Sequence, residues 1–301
     1  MMETSQRNVM TRLAVETKLL KEVGEKDRNK LQEVLTEMLQ DIQIACDKEQ
    51  LQVALGYGSV IGAVRHGGFI PWDDDIDLIM LREDWERFKL VFDDVLGDKY
   101  ILEAPNYGNK DTKCTWGKIY KRNTELVEIM EKDMPFEKGI FIDVFVYDNV
   151  PNNKMVRKLD GFLSFWMKGI ATSQLLYKYE NKDMRAFMNA TPDSAKYYKR
   201  RILLGKLFSF VSHKKWCDFL DSYMARHKKS EYITVPMGTS YEYELFKATD
   251  IVPFVKGQFN GLSVNLPHNT DLYLRRLYGD DYMQIPPIEK REKHFIVSLK
   301  F

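Results

Sequence analysis

Apolar residues recur along the first half of the chain with one spacing typical of helices and another typical of buried strands. Residues 27–50 carry apolar side chains every three or four positions, which predicts an amphipathic helix. The same spacing predicts helices at Ser59–Arg65 and Asp84–Val95. Short apolar runs between turn residues predict strands at Val53–Leu55, Ile76–Leu81 and Ile140–Tyr147, and a hairpin formed by Lys118–Tyr120 and Thr124–Met130.

The second half of the chain begins with a long helical, basic and aromatic segment. From Asn153 to about Lys229 the pattern is helical, and residues 231–301 return to short strands and turns interrupted by prolines. These patterns predict an α/β (α+β) fold. We expect N-terminal helices and a catalytic core in 1–150, a basic helical insert in 151–230, and the rest of the catalytic domain in 231–301.

Composition indicates a soluble globular protein, with 44% hydrophobic and 30% charged residues. The longest uncharged stretch, 50–64, is too short to span a bilayer, and the polar N-terminus has no signal-peptide pattern. Three scattered cysteines form no zinc motif and suggest a reducing compartment. We therefore expect a cytoplasmic protein.

The net charge of +1 conceals two opposed regions. It argues against a nucleic-acid partner for the protein as a whole. However, residues 151–230 contain 17 Lys and Arg against 6 Asp and Glu, a net of +11, so the rest of the chain carries −10. The acidic excess and the basic insert each need an explanation in terms of ligands.

The densest carboxylate cluster lies at 73–77, where Asp75 and Asp77 alternate with aliphatic residues. Residues two apart on a strand face the same side, so these two carboxylates would repel each other without a cation between them. Oxygen ligands of this kind suit Mg²⁺, with Mn²⁺ as an alternative. A solvated acidic turn is the competing interpretation, and two roles stay open for Asp73 and Asp74: binding a second metal or capping the turn.

Two further features could complete a site around this cluster. The turn at 56–62 matches neither a dinucleotide fingerprint nor a Walker loop, yet backbone N–H groups and a hydroxyl at Gly58 and Ser59 could meet phosphate oxygens. Asp143 is the single charge in a strand-like run. Because a buried lone carboxylate is costly, we expect Asp143 to have a metal or a basic partner, the alternative being a purely structural ion pair.

Together these residues form a long motif that resembles the signature of the LicD family, which has the nucleotidyltransferase fold. The motif reads Gly58-Ser59-x-x-Gly62-x-x-Arg65-His66-x-Gly68-x-Ile70-Pro71-Trp72-Asp73-Asp74-Asp75-x-Asp77. Weaker agreement covers the C-terminal end, from Asp271 through Pro286 and Pro287 to Arg291 and His294. The resemblance implies a mixed β-sheet core flanked by helices, and it leaves the insert at 151–230 unmatched.

The resemblance also implies an activity. Family members transfer phosphorylcholine or a similar phospho-alcohol from a CDP-alcohol donor, CDP-choline first among them, to a hydroxyl of a cell-surface glycan such as teichoic acid, and release CMP. By carry-over, Asp75, Asp77 and Asp143 are the catalytic metal ligands, with general base as a second role for Asp143. Gly58 and Ser59 would hold the donor phosphates.

Basic and aromatic residues near the motif are further candidates for substrate binding. Arg65, Lys118, Lys121, Arg291 and His294 could contact phosphate, although each could equally be an ordinary surface or structural residue. A quaternary ammonium group requires aromatic faces because it can form no hydrogen bond. Trp72, Trp116, Tyr57 and Tyr120 lie close to the motifs in sequence.

The insert has two interpretations. In one interpretation, apolar residues at helical spacing beside lysines and arginines form a helix that lies on an anionic bilayer, at the inner face of the plasma membrane. The same basic segment would attract a lipid-linked polyanionic acceptor. The alternative is a helical subdomain with its basic face in water. The apolar set is Met155, Leu159, Phe162, Leu163, Trp166 and Ile170.

Two other functions remain open at this point. A true nucleotidyltransferase would move NMP from an NTP and release pyrophosphate, and the fold permits it. An inactive nucleotide-binding scaffold in glycan assembly would be favoured by a missing motif carboxylate, and the motif contains them all.

Overall fold

A short strand and a 24-residue helix begin the described part of the chain. The structure is a computed structural model that describes residues 21–108, 111–128, 131–238, 240–287, 291 and 295–301. Strand β1 (Lys21–Glu22) precedes helix α1 (Glu25–Lys48). The apolar stripe of α1 is buried, which confirms the helix that the sequence predicts at 27–50.

Helices and strands then alternate up to residue 150. They are β2 (Ala54–Leu55), α2 (Tyr57–Ile61) with a π-helical continuation (Gly62–His66), β3 (Asp77–Leu81), α3 (Arg82–Val95), β4 (Tyr100–Glu103), β5 (Gly117–Lys121), β6 (Glu125–Glu128) and β7 (Phe141–Val150). The helices and single strands predicted in this half are confirmed. Strand β7 is longer than predicted, because it continues past Tyr147 to pair with β8.

The second half contains the helical segment and the returning strands. The helices α4 (Lys154–Lys178), α5 (Lys182–Met188), α6 (Pro192–Leu207) and α7 (His213–Ala225) come first. They are followed by β8 (Tyr232–Thr234), β9 (Phe246–Lys247), α8 (Ala248–Ile251), β10 (Val255–Phe259), β11 (Leu262–Leu266), α9 (Thr270–Tyr278) and β12 (Phe295–Lys300). Helices α8 and α9 correct the expectation of strands and turns alone in residues 231–301.

A mixed sheet forms the centre of the fold, in the order β2-β3-β7-β5-β4. Strands β3 and β7 are parallel and the other neighbours are antiparallel, while β8 and β9 extend the sheet from the far end of β7. The parallel pair is possible because α3 and the β4–β6 segment supply the long connection that parallel strands need. This mixed sheet with flanking helices confirms the α/β (α+β) fold class.

The hairpin predicted between 118–120 and 124–130 is wrong. Both edges of β5 are occupied, one by β4 and one by β7, so β6 pairs with β12 in a separate three-stranded sheet. The turn is fixed by Thr124, whose Oγ1 donates to the carbonyl of Lys121 and accepts from the N–H of Ile140. Met130, the predicted end of the hairpin, lies outside the described residues.

The main core is formed by the sheet together with α1 and α3. Trp85 on α3 packs so closely on β5 that a Cβ at Gly117 would lie 2.3 Å from the indole ring, which explains the glycine there. A smaller apolar cluster joins the end of β7 to α7 through Val150, Leu220, Met224 and Tyr241. Helices α7 and α4 are therefore packed against the end of β7.

Two further sequence expectations concern membranes and cysteines. Within the described ranges, no helix is both long enough and apolar enough to cross a membrane. Cys46, Cys114 and Cys217 are buried free thiols.

Candidate active site

Three charged side chains form one row across the sheet. The register pairs Asp77 of β3 with Asp143 of β7, and Asp143 with Lys118 of β5. Directly paired residues project from the same face of a sheet, so the register of β3, β7 and β5 brings two acids and one lysine together. The expectation that Asp143 has a basic partner is met by Lys118.

Lys118 is held as a fixed cation at the end of this row. Its Nζ lies 3.2 Å from Asp143 Oδ1 and 3.2 Å from the ring centroid of Phe141, and the side chain is 5% exposed. Burial disfavours the charged lysine, but Asp143 together with Cys114, Glu131 and Glu128 outweighs burial and holds the pKa of Lys118 well above its usual range. The charge of Lys118 is therefore constant at physiological pH.

The Asp143 carboxylate is oriented by two donors on the same oxygen. Trp116 Nε1 donates to Asp143 Oδ1 at 3.0 Å, and Lys118 contacts that oxygen as well. The second oxygen, Oδ2, is thus the one that these two groups do not use. An oriented carboxylate can ligate a cation or accept a proton from a nearby hydroxyl.

The turn before α2 is tied to the start of β3. Gly56 N–H donates to the Asp77 carbonyl at 2.8 Å, and Asp77 N–H donates to Ser59 Oγ at 3.0 Å. Gly58 approaches the acidic loop so closely that a Cβ there would lie 3.3 Å from Asp73 Oδ2. The predicted residues Gly58 and Ser59 therefore lie beside the carboxylates, and Ser59 fixes the backbone that presents Asp77.

Tyr57 adopts a left-handed backbone conformation at this turn, with φ of 44°. Such a conformation costs a non-glycine residue about 1–3 kcal/mol and persists where neighbours enforce it. Here Tyr57 N–H donates to the Tyr273 hydroxyl at 3.0 Å, and the Tyr57 hydroxyl donates to the buried Glu244 carboxylate. The strain is held beside the residues predicted to meet phosphate.

An aromatic wall flanks the row on β7. Phe145 lies two residues beyond Asp143 on the same face of the strand. The Tyr57 ring meets Phe145 edge-on at 4.8 Å between centroids, and the Trp116 ring stacks on Phe145 at 5.9 Å. Tyr120, another aromatic candidate from the sequence, is instead buried in the interior at 1% exposure.

The acidic loop before β3 contains a second group of carboxylates. Oxygens of Asp73, Asp74 and Asp75 lie within 4.8 Å of one another, and all three residues are partly buried. Gln32 on α1 holds the loop by donating to the Asp73 carbonyl at 2.7 Å. An all-oxygen donor set of this kind suits a hard cation such as Mg²⁺. Asp75, Asp77 and Asp143 do not approach one another this closely as a trio, so their joint ligation stays a prediction.

Trp72 and Arg291 are brought together although 219 positions separate them in the sequence. The Arg291 guanidinium carbon lies 4.1 Å from the centroid of a Trp72 ring. The His66 ring approaches Trp72 edge-on, with 6.4 Å between the two ring centroids. A stacked guanidinium keeps donors for an anion. His294, the neighbouring candidate, lies outside the described residues.

The other two predicted cations have local partners. Arg65 donates to the carbonyls of Tyr282 and Gln284 at 2.7 and 3.0 Å, which ties α2 to the C-terminal loop. Burial lowers the pKa of Arg65. Lys121 binds Glu37 on α1 at 2.9 Å, so the structure does not bring it into the row with Asp143. Phosphate contact by either side chain stays a prediction.

Glu244 and Lys168 lie behind the turn and were not identified from the sequence. Lys168 on α4 donates to the carbonyls of Met237 and Gly238, and a Cβ at Gly238 would lie 2.1 Å from Glu244. Burial lowers the pKa of Lys168 to about 8, while Glu244 opposes that shift. Lys168 stands beside the apolar positions of the insert helix, a pattern that predicts a basic helix and no site residue, and Glu244 belongs to no periodic or motif pattern.

A substitution at Gly58 tests the close approach to the acidic loop. Gly58→Ala is expected to lower kcat/KM about tenfold with unchanged or slightly raised thermal stability, because the new methyl group displaces the Asp73 carboxylate while alanine favours the helix. Gly169→Ala on α4 is the matched control, since a Cβ there meets nothing within 4 Å. Full activity of the Gly58 variant would show that the approach has no functional role.

The fold and the site define the class of this protein. Residues 50–168 match the family model described as LicD/FKTN/FKRP, nucleotidyltransferase domain. This segment contains the turn at 56–62, the acidic loop, and the row formed by Asp77, Asp143 and Lys118. It is therefore a nucleotidyltransferase-type domain. The resemblance seen in the motif is confirmed, and this domain belongs to the LicD family.

Two relatives extend the comparison. The chain is 26% identical over 267 residues to the lipopolysaccharide cholinephosphotransferase LicD of Haemophilus influenzae, an alignment that covers 83% of this chain and 89% of the relative. It is also 33% identical over 122 residues to an uncharacterized protein of Rickettsia typhi, covering 40% of this chain and 34% of that protein. The first similarity extends well beyond the family domain.

Proposed function

We propose that this protein is a Mg²⁺-dependent transferase that moves phosphorylcholine, or a similar phospho-alcohol, from a CDP-alcohol to a glycan hydroxyl. The observation that carries the proposal is the row of Asp77, Asp143 and Lys118 beside the acidic loop, inside a LicD-family domain. The donor is CDP-choline, the acceptor is a cell-surface glycan such as teichoic acid, and CMP is the leaving group.

The donor atoms fit the proposed metal. Asp75, Asp77 and Asp143 would hold Mg²⁺, with Asp73 and Asp74 adjacent on the acidic loop. When bound, Mg²⁺ supplies positive charge that stabilises the donor diphosphate and the departing CMP. The carboxylate oxygens of these residues and the absence of sulfur or imidazole ligands among them suit this hard cation.

The chain's own residues divide the remaining work. The acceptor oxygen attacks the phosphorus that carries the alcohol, the bond from that phosphorus to the bridging oxygen of the diphosphate breaks, and CMP leaves with the electron pair. Asp143, whose Oδ1 is held by Trp116 and Lys118, has the alternative role of general base, in which Oδ2 accepts the hydroxyl proton instead of ligating the metal. The turn at Gly58 and Ser59 positions the donor phosphates, and Lys118 offsets negative charge near the reacting groups.

Two observations support choline as the transferred alcohol. The rings of Tyr57 and Trp116 against Phe145 provide aromatic surface beside Asp143, and such surface attracts a quaternary ammonium group. The Haemophilus influenzae relative is named for cholinephosphate transfer to lipopolysaccharide. A cytoplasmic location gives access to a soluble CDP-alcohol, and we propose it on that ground.

A panel of nucleotides tests the proposed reaction. The purified protein, Mg²⁺ and a glycan acceptor are incubated with CDP-choline, CDP-ethanolamine, CDP-ribitol, CDP-glycerol or CTP, and CMP and pyrophosphate are separated by chromatography. We expect CMP from CDP-choline, and its loss when EDTA is added and return when excess Mg²⁺ is restored. Consumption of CTP with release of pyrophosphate, and cleavage of no CDP-alcohol, would instead identify a nucleotidyltransferase.

A further inference from the structure

The first half of helix α4 exposes its large apolar side chains. Met155 is 82% exposed, Leu159 58%, Phe162 56% and Trp166 46%. These positions recur at intervals of three and four residues, so they share one side of the helix. We call this side, completed by Val156 and Leu163, the outer face of α4; both of those side chains are also exposed.

The opposite side of the same turns is small and polar, and it is buried. Gly161 packs so closely on Tyr241 that a Cβ at residue 161 would lie 2.8 Å from the tyrosine ring. Ser164 Oγ lies 3.0 Å from the sulfur of Met224, and Asp160 accepts from the hydroxyls of Tyr223 and Tyr241 at 2.8 and 3.1 Å. These contacts fix the rotation of α4 and hold its apolar side outward.

This orientation reverses the usual arrangement of an amphipathic helix on a protein core. Large apolar side chains normally pack inward and polar ones face water. A helical subdomain packed on the core with its basic face in water therefore does not by itself account for the exposed apolar side of this half of α4. Ile170, the sixth residue of the apolar set, is 7% exposed, so the outer face ends before the second half of the helix.

Basic residues lie on the same turns as the outer face and on helix α6, which packs against the second half of α4. Lys154 and Lys158 are exposed on the same turns of α4, and their long side chains can extend from an apolar surface toward negative charge. The neighbouring segment adds Lys199, Arg200 and Lys206 beside exposed Leu203, Leu207 and Phe210. The whole of 151–230 carries a net charge of +11.

We propose that the outer face of α4 docks on the surface of an anionic lipid bilayer. Apolar side chains would enter the headgroup boundary while the flanking lysines meet lipid phosphates. Two copies joined through this face would bring two segments of charge +11 together, which disfavours self-association. The helix lies along the membrane and does not cross it, since α4 lacks the apolar content of a spanning helix.

This inference goes beyond the proposed reaction and does not depend on it. Docking would bring the active site close to an acceptor that is attached to a membrane lipid. If docking fails, the cleavage of CDP-choline with a soluble acceptor is unaffected, and if cleavage fails, vesicle binding is unaffected. The two proposals can therefore be rejected separately.

Vesicle sedimentation tests the docking surface. The full chain is mixed with vesicles of phosphatidylglycerol and phosphatidylcholine, or of phosphatidylcholine alone, at low and high salt. We expect sedimentation with the anionic vesicles, reduced by salt and absent with the neutral ones. The double variant Phe162→Ser and Trp166→Ser is expected to bind the anionic vesicles at least about tenfold more weakly.

Leu90→Ser provides the matched control, because Leu90 is an exposed leucine on α3, at 83%, away from the outer face. We expect this variant to bind as the parent does. Equal binding to both vesicle types, or equal binding by the parent and the double variant, would overturn the proposal. Self-association of the parent that the double variant loses would also overturn it, since a second copy would then occupy the face.

Discussion

Asp77→Asn is expected to reduce CMP release from CDP-choline by about 10²–10³-fold without unfolding the protein. The substitution keeps the shape of the side chain and removes the charge that stands beside Asp143 on the neighbouring strand. The backbone contacts of residue 77 to Ser59 and Gly56 do not involve its carboxylate. Steady-state kinetics would measure the loss, and circular dichroism and thermal melting would monitor the fold.

Asp98→Asn is the control for Asp77, because Asp98 is an exposed acid in the turn before β4. It is expected to retain full activity. An inactive scaffold would bind nucleotide, but neither the parent protein nor the Asp77 variant would then release CMP. If the Asp77 variant released CMP at the rate of the parent, the catalytic assignment of this row would be wrong.

Arg82→Met is expected to give the largest loss of stability, about 3–5 kcal/mol in the free energy of unfolding. Arg82 forms two hydrogen bonds with the buried carboxylate of Asp148, at 2.7 and 2.9 Å, and one with Asp221 on α7 at 2.8 Å. Its removal leaves two buried acids without this cation and breaks the ionic link between the sheet and α7. Urea denaturation would measure the change.

The loss at residue 82 should depend on pH. Burial raises the pKa of Asp148 and Arg82 opposes that shift, so the variant's Asp148 should have a still higher pKa. As pH falls through that pKa, the folded variant takes up a proton before the unfolded chain does, and it is stabilised relative to the unfolded chain. The deficit should therefore shrink as the pH falls from neutral into the acidic range.

Arg87→Met is the control for Arg82, because Arg87 is 53% exposed, its contact with Asp84 is 3.7 Å long, and its hydrogen bonds go to the backbone carbonyls of Glu49 and Gln50 and not to a buried acid. We expect it to cost less than about 1 kcal/mol, with little change between neutral and acidic pH. A deficit for the Arg82 variant as small as this one would show that the buried network contributes little to stability.

Local patterns in the sequence predicted most elements of the fold, while long-range pairing was harder to infer. The period of α1 and the apolar runs of β3 and β7 are local signals, so the predicted elements coincide with those observed. Strand β6 pairs with β12, which lies about 170 residues away in the sequence. Nothing in the local sequence of β6 indicates that its partner is β12 and not β4 or β7. The false hairpin came from sequence proximity alone.

The candidate site shows a similar division. Strand alternation predicted Asp75 and Asp77 on one face, but Asp75 lies in the loop before β3. The structure instead pairs Asp77 with Asp143 on the neighbouring strand, and it adds Lys118 and Trp116 on Asp143. Lys121 could have been separated from Lys118 on the sequence alone, because an odd spacing on one strand puts two side chains on opposite faces. Glu244 comes to the turn through tertiary packing, and no local pattern marks it.

The insert illustrates the limit of hydrophobic periodicity. The spacing of Leu159, Phe162 and Trp166 correctly predicts a helix, but it does not indicate which side is buried. Gly161 and Ser164 form part of the buried side of α4, and neither residue contributes to an apolar stripe. The outward orientation depends on contacts with α7 and with Tyr241, which the sequence of α4 does not contain.

The most direct test of the proposed reaction follows the phosphate that carries choline. CDP-choline labelled with ³²P at that phosphate is incubated with the protein, Mg²⁺ and a glycan acceptor, and the labelled products are separated by chromatography. The proposed transfer predicts label on the acceptor and unlabelled CMP. Label recovered as phosphocholine, with CMP attached to the acceptor, would contradict it, as would label remaining entirely in CDP-choline.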